Sequence, residues 1–122
     1  MIREGVRPSG LVRLWLALLN SLRGIANCYR SEAAFRQEIW GLIIIVPLAF
    51  WLGQTAVERV LLLGSYLLLL IIELLNTGIE VVVDRIGLER HALSGFAKDL
   101  GSAAVLLGLV LVAVTWILVI FD

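Results

Sequence analysis

Residues 60–83 read VLLLGSYLLLLIIELLNTGIEVVV, and Asp84 follows at once. The stretch is apolar and long enough to cross a bilayer, which takes about 20 residues as a helix. It nevertheless carries Glu73, Asn76 and Glu80. On a helix, positions 73, 76, 80 and 84 fall near one stripe, at steps of three and four. A carboxylate at membrane depth costs roughly 2.5–3.5 kcal/mol on insertion scales. The stripe should therefore face protein, water or a metal ion. A polar seam between helices would need only one Asn. A Glu/Asn/Glu/Asp row exceeds that need and points to function.

Composition agrees with a membrane protein. The chain has 122 residues, of which 61% are hydrophobic, whereas soluble domains run nearer 45–50% apolar. Its length suits one domain. Formal net charge is zero, but Arg3, Arg7, Arg13, Arg23, Arg30 and Arg36 crowd the first third. No basic run or basic–aromatic interleaving appears, so a nucleic-acid partner is not expected. Cys28 is the single cysteine. It excludes an internal disulfide and a cysteine-based metal site, and reads as a small packing residue. The first ten residues, MIREGVRPSG, lack the compact apolar region of a cleavable signal.

Two further stretches can cross the bilayer, giving spans at about 33–53, 60–83 and 100–121. The uncharged core of the first, 39–53, is short and must borrow from 33–38; Pro47 lies inside it as a potential kink. The third, LGSAAVLLGLVLVAVTWILVIF, places Gly101, Ala104 and Gly108 at helical spacing, which suits close packing. Residues 54–59 join the first two spans, and 84–99 form the expected connection between the last two. Arg85, Arg90 and Lys98 on that connection, with the amino-terminal arginines, put both on the cytoplasmic face by the positive-inside rule. Residues 10–30 read as an amphipathic surface helix. Arg13, Asn20, Arg23, Asn27 and Arg30 recur on one side; Leu11, Leu14, Trp15, Leu18, Leu22 and Ile25 fill the other. The expected fold class is an all-α membrane protein with a surface helix and three transmembrane helices.

Candidate chemistry collects at one membrane face. Glu32 and Arg36 are spaced as an i,i+4 ion pair. Glu32 shares its face with Glu80 and Asp84, and two carboxylates with a phosphate-bearing ligand make an oxygen-rich site suited to Mg²⁺. Asp84 either supports that site or closes a helix end in a salt bridge. Lys98, the only lysine, is a membrane-edge cation or, opposite those acids, a phosphate ligand. His91 reads as a loop residue. Phosphate-binding loops of the soluble kinase type are absent, as is any His/Cys zinc cluster. The same carboxylate row would also suit the pore of a small channel or proton-coupled transporter.

Three segments carry a family resemblance: EAAFRQE at 32–38, ERVLLLGSYLLLLIIELLNTGIEVVVDRIG at 58–87, and HALSGFAKDLGSAAV at 91–105. Their combination, E-[LI]-L-N-[ST]-x-I-E-x-x-V-D with K-D-[LM]-G-S-A-A, resembles the small bacterial integral-membrane diacylglycerol kinases. The resemblance implies a homotrimeric helical bundle in the bacterial inner membrane. It implies phosphorylation of diacylglycerol to phosphatidic acid, with ATP as co-substrate and Mg²⁺ as cofactor. By position, Glu73 resembles the catalytic base, and Glu32 and Glu80 the metal-binding carboxylates. Arg13, Asn20, Glu32, Glu80, Glu89, Arg90, His91, Lys98 and Asp99 match ATP-binding positions. Arg13, Ala34, Phe35, Arg36, Glu38, Trp51, Gln54, Arg59, Glu73 and Ser102 match lipid-substrate positions. Asn76 and Asp84 would support the site. Asn20 and Phe96 depart from the Tyr and Arg that occur there in relatives. A related activity on undecaprenol is the nearest alternative, against which the EAAFRQE match argues.

Overall fold

The computed structural model describes residues 9–122, and Arg3 and Arg7 of the basic amino terminus lie outside them. Four helices follow in order: α1 (Gly10–Ser31), α2 (Ala33–Leu52), α3 (Ala56–Ile86) and α4 (Ala92–Ile120). The last three are long and apolar enough to cross a membrane. The chain belongs to the all-α class among the described residues.

One residue separates α1 from α2. Glu32 is extended (φ −116°, ψ 110°) and ends one helix while starting the next. Its N–H donates to the Cys28 carbonyl at 2.9 Å, and its own carbonyl accepts from the Arg36 N–H at 3.0 Å. The chain thus changes direction with its backbone hydrogen bonds nearly intact. The expected Glu32–Arg36 ion pair does not form, because Glu32 stands outside the helix that would give i,i+4 geometry. Arg36 instead turns back, and its Nη1 donates to the Tyr29 and Arg30 carbonyls at 3.0 and 3.3 Å. A cation there meets the negative end of α1. Helix α2 continues past Pro47 to Leu52.

Helix α3 opens with a capping box. Thr55 Oγ1 accepts from the Glu58 N–H, and Glu58 Oε2 accepts from the Thr55 and Gln54 N–H groups. The T-A-V-E spelling of residues 55–58 carries that signature. The expected connection 84–99 is mostly helical. Helix α3 runs to Ile86 and α4 begins at Ala92, where His91 Nδ1 accepts from the Leu93 N–H at 3.1 Å. The polar tract therefore extends the helical hairpin beyond the apolar runs, because its charges can stand in water on both helices.

Helices α3 and α4 pack antiparallel in a fixed register. Asp84 meets Lys98, Asn76 meets Gly101, Leu69 meets Gly108, and Trp116 Nε1 donates to the Leu62 carbonyl at 3.2 Å. In lipid, apolar contact between helices brings little hydrophobic gain, so close van der Waals fit decides the pairing. Gly101 and Gly108 are buried in this seam, but Ala104 is exposed. The small-residue spacing thus holds for the two glycines, seven residues apart, and not for Ala104, which turns off the contact face. Across the other side, the Tyr66 hydroxyl donates to the Glu38 carbonyl. A core of Cys28, Phe35, Tyr66 and Leu70 ties α1, α2 and α3 together.

Helix α3 spans 31 residues, or about 46 Å at about 1.5 Å each. The hydrocarbon layer is only about 30 Å. Counting about 20 residues from Arg59 places its far edge near Ile79. Helix α1 borders a cleft against Leu74, Thr77, Gly78 and Val81 at that same level. Leu11, Leu14, Trp15, Leu18 and Leu22 are exposed on α1, as an interfacial helix requires.

A Cβ at Gly108 would stand 3.2 Å from the tips of both Leu69 and Ile72. Gly108→Val should overpack the seam by about 1–3 kcal/mol. The measurement is the thermal midpoint in detergent, which should fall; an unchanged midpoint would contradict this packing.

Candidate active site

The site is built where the α1–α2 junction meets the middle of α3. Glu73 is 8% exposed, although it is a carboxylate among Leu and Ile. A small cavity of about 140 Å³ is lined by Glu32, Ala34, Phe35, Glu73, Asn76, Thr77 and Val105. At about 30 Å³ per water, it has room for a hydroxymethyl group and a few oxygen atoms. Glu73 Oε2 and Asn76 Oδ1 are buried with no hydrogen-bond partner. Buried oxygens of that kind cost free energy unless something satisfies them. Asn76 Nδ2 lies 3.5 Å from Glu80 Oε1, which sets Glu80 one helical turn beyond the lining residues.

Cys28 of α1 lies behind Thr77, in the neighbouring cleft between α1 and α3. Its Sγ donates to Thr77 Oγ1 at 3.6 Å. Burial pushes the thiol above its ordinary range; the Thr77 bond opposes this, and the nearby Glu32, Glu73 and Glu80 charges reinforce it. Thr77 also lines the mostly apolar cleft between α1 and α3, so it stands between that cleft and the polar cavity.

A second region lies at the far end of the hairpin. A cleft of about 500 Å³ is lined by Asp84, Glu89, Arg90, His91, Ser94 and Lys98, among others. Lys98 Nζ is 2.8 Å from Asp84 Oδ1, with both side chains about half exposed. Of the two readings of Asp84, the structure realises the salt bridge. The same contact occupies Lys98, the candidate phosphate ligand, with a carboxylate.

The other sequence candidates are distributed along the molecule. Arg13 and Asn20 are exposed on α1, and Asp99 and Ser102 on α4; none lines either cavity. Phe35 is 2% exposed and belongs to the core as well as to the cavity wall. Glu38 is half-buried with Oε2 unpartnered. Trp51, Gln54 and Arg59 lie at the opposite end of α2 and α3. There Arg59 stands over Phe50 and donates to the Gly53 carbonyl at 3.2 Å. Arg59 is about 21 Å along α3 from Glu73 at about 1.5 Å per residue. Thr77 and Val105 join the cavity without having stood out in the sequence. Thr77 falls one residue past the stripe, and hydroxyls are unremarked in membrane helices. Val105 reads as one more apolar residue of α4.

No group of three or more His, Cys, Asp or Glu side chains that could hold a metal occurs among the described residues. The oxygen-bearing side chains on the cavity wall are Glu32, Glu73, Asn76 and Thr77, with Glu80 beside Asn76. Mg²⁺ sites in general use one or two protein carboxylates, with water or phosphate completing the shell.

The family described as prokaryotic diacylglycerol kinase matches residues 19–120. The chain belongs to that family. It is 46% identical to the diacylglycerol kinase of Haemophilus influenzae over 110 residues, covering 90% of this chain and 93% of the relative. It is 45% identical over 114 residues to that of Escherichia coli strain K12, covering 93% of each. It is 47% identical over 108 residues to that of Pseudomonas aeruginosa, covering 88% of each. The match spans the α1–α2 junction, the α3 stripe and the α3–α4 hairpin, so every residue that lines the cavity falls within the matched range.

Cys28 should alkylate slowly in the folded protein, since burial and a raised pKa both lower the reactive thiolate. Maleimide uptake in detergent at pH 8, compared before and after SDS denaturation, measures this. Equal rates would place Cys28 outside the core.

Proposed function

We propose that this chain transfers the γ-phosphoryl group of ATP to the primary hydroxyl of diacylglycerol, giving phosphatidic acid and ADP. The observation that carries the reading is the small cavity between Glu32 and Glu73, with its unsatisfied Glu73 and Asn76 oxygens. A cavity of this size and polarity can take the hydroxymethyl end of a lipid alcohol. Glu73 Oε2 accepts the hydroxyl proton as the oxygen attacks phosphorus. Thr77 admits the lipid side, because it borders the apolar cleft under α1.

The donor oxygens suit Mg²⁺ held with nucleotide phosphates by Glu32 and Glu80. Bound there, the ion would neutralise charge on the transferring phosphoryl group. Asn76, one helical turn before Glu80, stands beside it with its amide nitrogen 3.5 Å from the carboxylate. The nucleotide enters from the 500 Å³ cleft, with Glu89, Arg90 and His91 on its wall and Asp99, Arg13 and Asn20 closing around it. Lys98 exchanges its Asp84 partner for phosphate. Trp51, Gln54, Arg59 and Ser102 line the path of the acyl chains, and Ala34, Phe35, Arg36 and Glu38 the glycerol end. We place the amino terminus and residues 87–91 on the cytoplasmic side of the bacterial inner membrane, where ATP is available. The working unit is a homotrimer, in which neighbouring copies shield the exposed sides of α3.

Phosphatidic acid formation from diacylglycerol and labelled ATP, in mixed micelles of the purified protein, tests the reading. Undecaprenol serves as the parallel acceptor. Glu73→Gln should lower kcat by about 10²–10⁴-fold with little change in nucleotide binding. Glu32→Gln and Glu80→Gln should raise the Mg²⁺ concentration needed for half-maximal rate. Normal turnover by Glu73→Gln would remove it as the base, and preference for undecaprenol would replace the acceptor.

A further inference from the structure

Gly101 is buried on α4 at the level of Asn76. A Cβ at this position would collide with Asn76 Oδ1 and stand 3.2 Å from Asn76 Cγ. Gly108, the other glycine of the seam, meets only atoms of Leu69 and Ile72. The two glycines therefore face different things: one a packing surface, the other a carboxamide of the candidate site. Hydrogen bonding within the chain does not hold that carboxamide firmly. Its Oδ1 has no partner, and its Nδ2 reaches Glu80 Oε1 only at 3.5 Å, beyond the usual range. What restricts Asn76 is the α4 surface behind it, made by Gly101 and, one turn on, by Val105, which lines the cavity.

We infer that Gly101 is a positioning residue for phosphoryl transfer: its missing side chain lets the Asn76 carboxamide lie back against α4, at the wall of the Glu32–Glu73 cavity and on the side toward Glu80. The inference rests on the reading of Asn76 as part of the active site. Ordinary small-residue packing is a different role, and the geometry separates the two. The atom in the way is the free end of a side chain, so the chain can admit a methyl group at 101 by rotating Asn76 instead of parting the helices. The fold then survives while the amide leaves Glu80 and projects further into the cavity it lines. A displacement of about 1 Å in a site of this kind costs about 10²-fold in rate.

The test is a double-mutant cycle of Gly101→Ala and Asn76→Ala in detergent, followed by kcat, the KM for diacylglycerol and the thermal midpoint. Gly101→Ala should lower kcat by about 10²-fold, leave KM little changed and move the midpoint by only a few degrees. The double variant should be no slower than Asn76→Ala alone, since the added methyl then has nothing to displace. Losses that add across the cycle, wild-type kcat in Gly101→Ala, or failure of that variant to fold would each make Gly101 a packing residue and overturn the inference. Full activity of Asn76→Ala would instead remove Asn76 from the site, so the underlying reading would fail first, and visibly.

Discussion

A carboxylate cannot face hydrocarbon cheaply, and α3 carries Glu73 and Glu80 on its apolar length. Everything else in the chain accommodates that constraint. The α1–α2 junction lies against the stripe at Glu32 and Phe35, α4 covers it at Gly101 and Val105, and Thr77 and Cys28 close the side under α1. The stripe does not reach the centre of the bilayer. With the hydrocarbon edge near Ile79, Glu73 is about 9 Å inside it at about 1.5 Å per residue, and Asp84 is beyond it. The stripe therefore runs from the acyl-chain region at Glu73 to headgroups and water at Glu80 and Asp84. That mixture is what a phosphoryl transfer between a water-soluble nucleotide and a lipid alcohol needs.

The hairpin of α3 and α4 sets the precision of the site. Its register is defined at four levels, by an ion pair, an amide on a glycine, a leucine on a glycine, and an indole N–H on a carbonyl. The polar contacts lie at the two ends and the glycines between them. In a medium where burial gives no gain, such shape matching is the available way to hold one helix against another at a single offset. Asn76 belongs to both systems, since it packs in the seam and lines the cavity.

Much of this was legible in the sequence because lipid imposes simple rules. Apolar runs of sufficient length gave the three spanning helices, and the alternation of arginine with leucine gave α1. The stripe at 73, 76, 80 and 84 followed from helical periodicity alone. The legible part ended where a local rule depended on a neighbour. Glu32 and Arg36 have the spacing of a helical pair, yet a one-residue break at Glu32 voids it. Lys98 is drawn to Asp84 because α3 continues into water alongside α4, which the charged tract 84–99 does not announce. Ala104 shares the spacing of the glycines but points off the seam. Val105 becomes a cavity wall only through the α3–α4 register.

The depth of the α3 stripe can be measured with nitroxide labels at its exposed positions Leu68, Leu75 and Val82, one label per chain in a Cys28→Ser background. Collisional relaxation by oxygen reports hydrocarbon, and relaxation by a nickel chelate reports water. The account predicts oxygen-dominated relaxation at Leu68 and Leu75 and nickel access at Val82, so that the membrane edge falls between Asn76 and Glu80 or just beyond. A label at Val82 as oxygen-rich and nickel-poor as the one at Leu68 would put the carboxylates in mid-bilayer and contradict it.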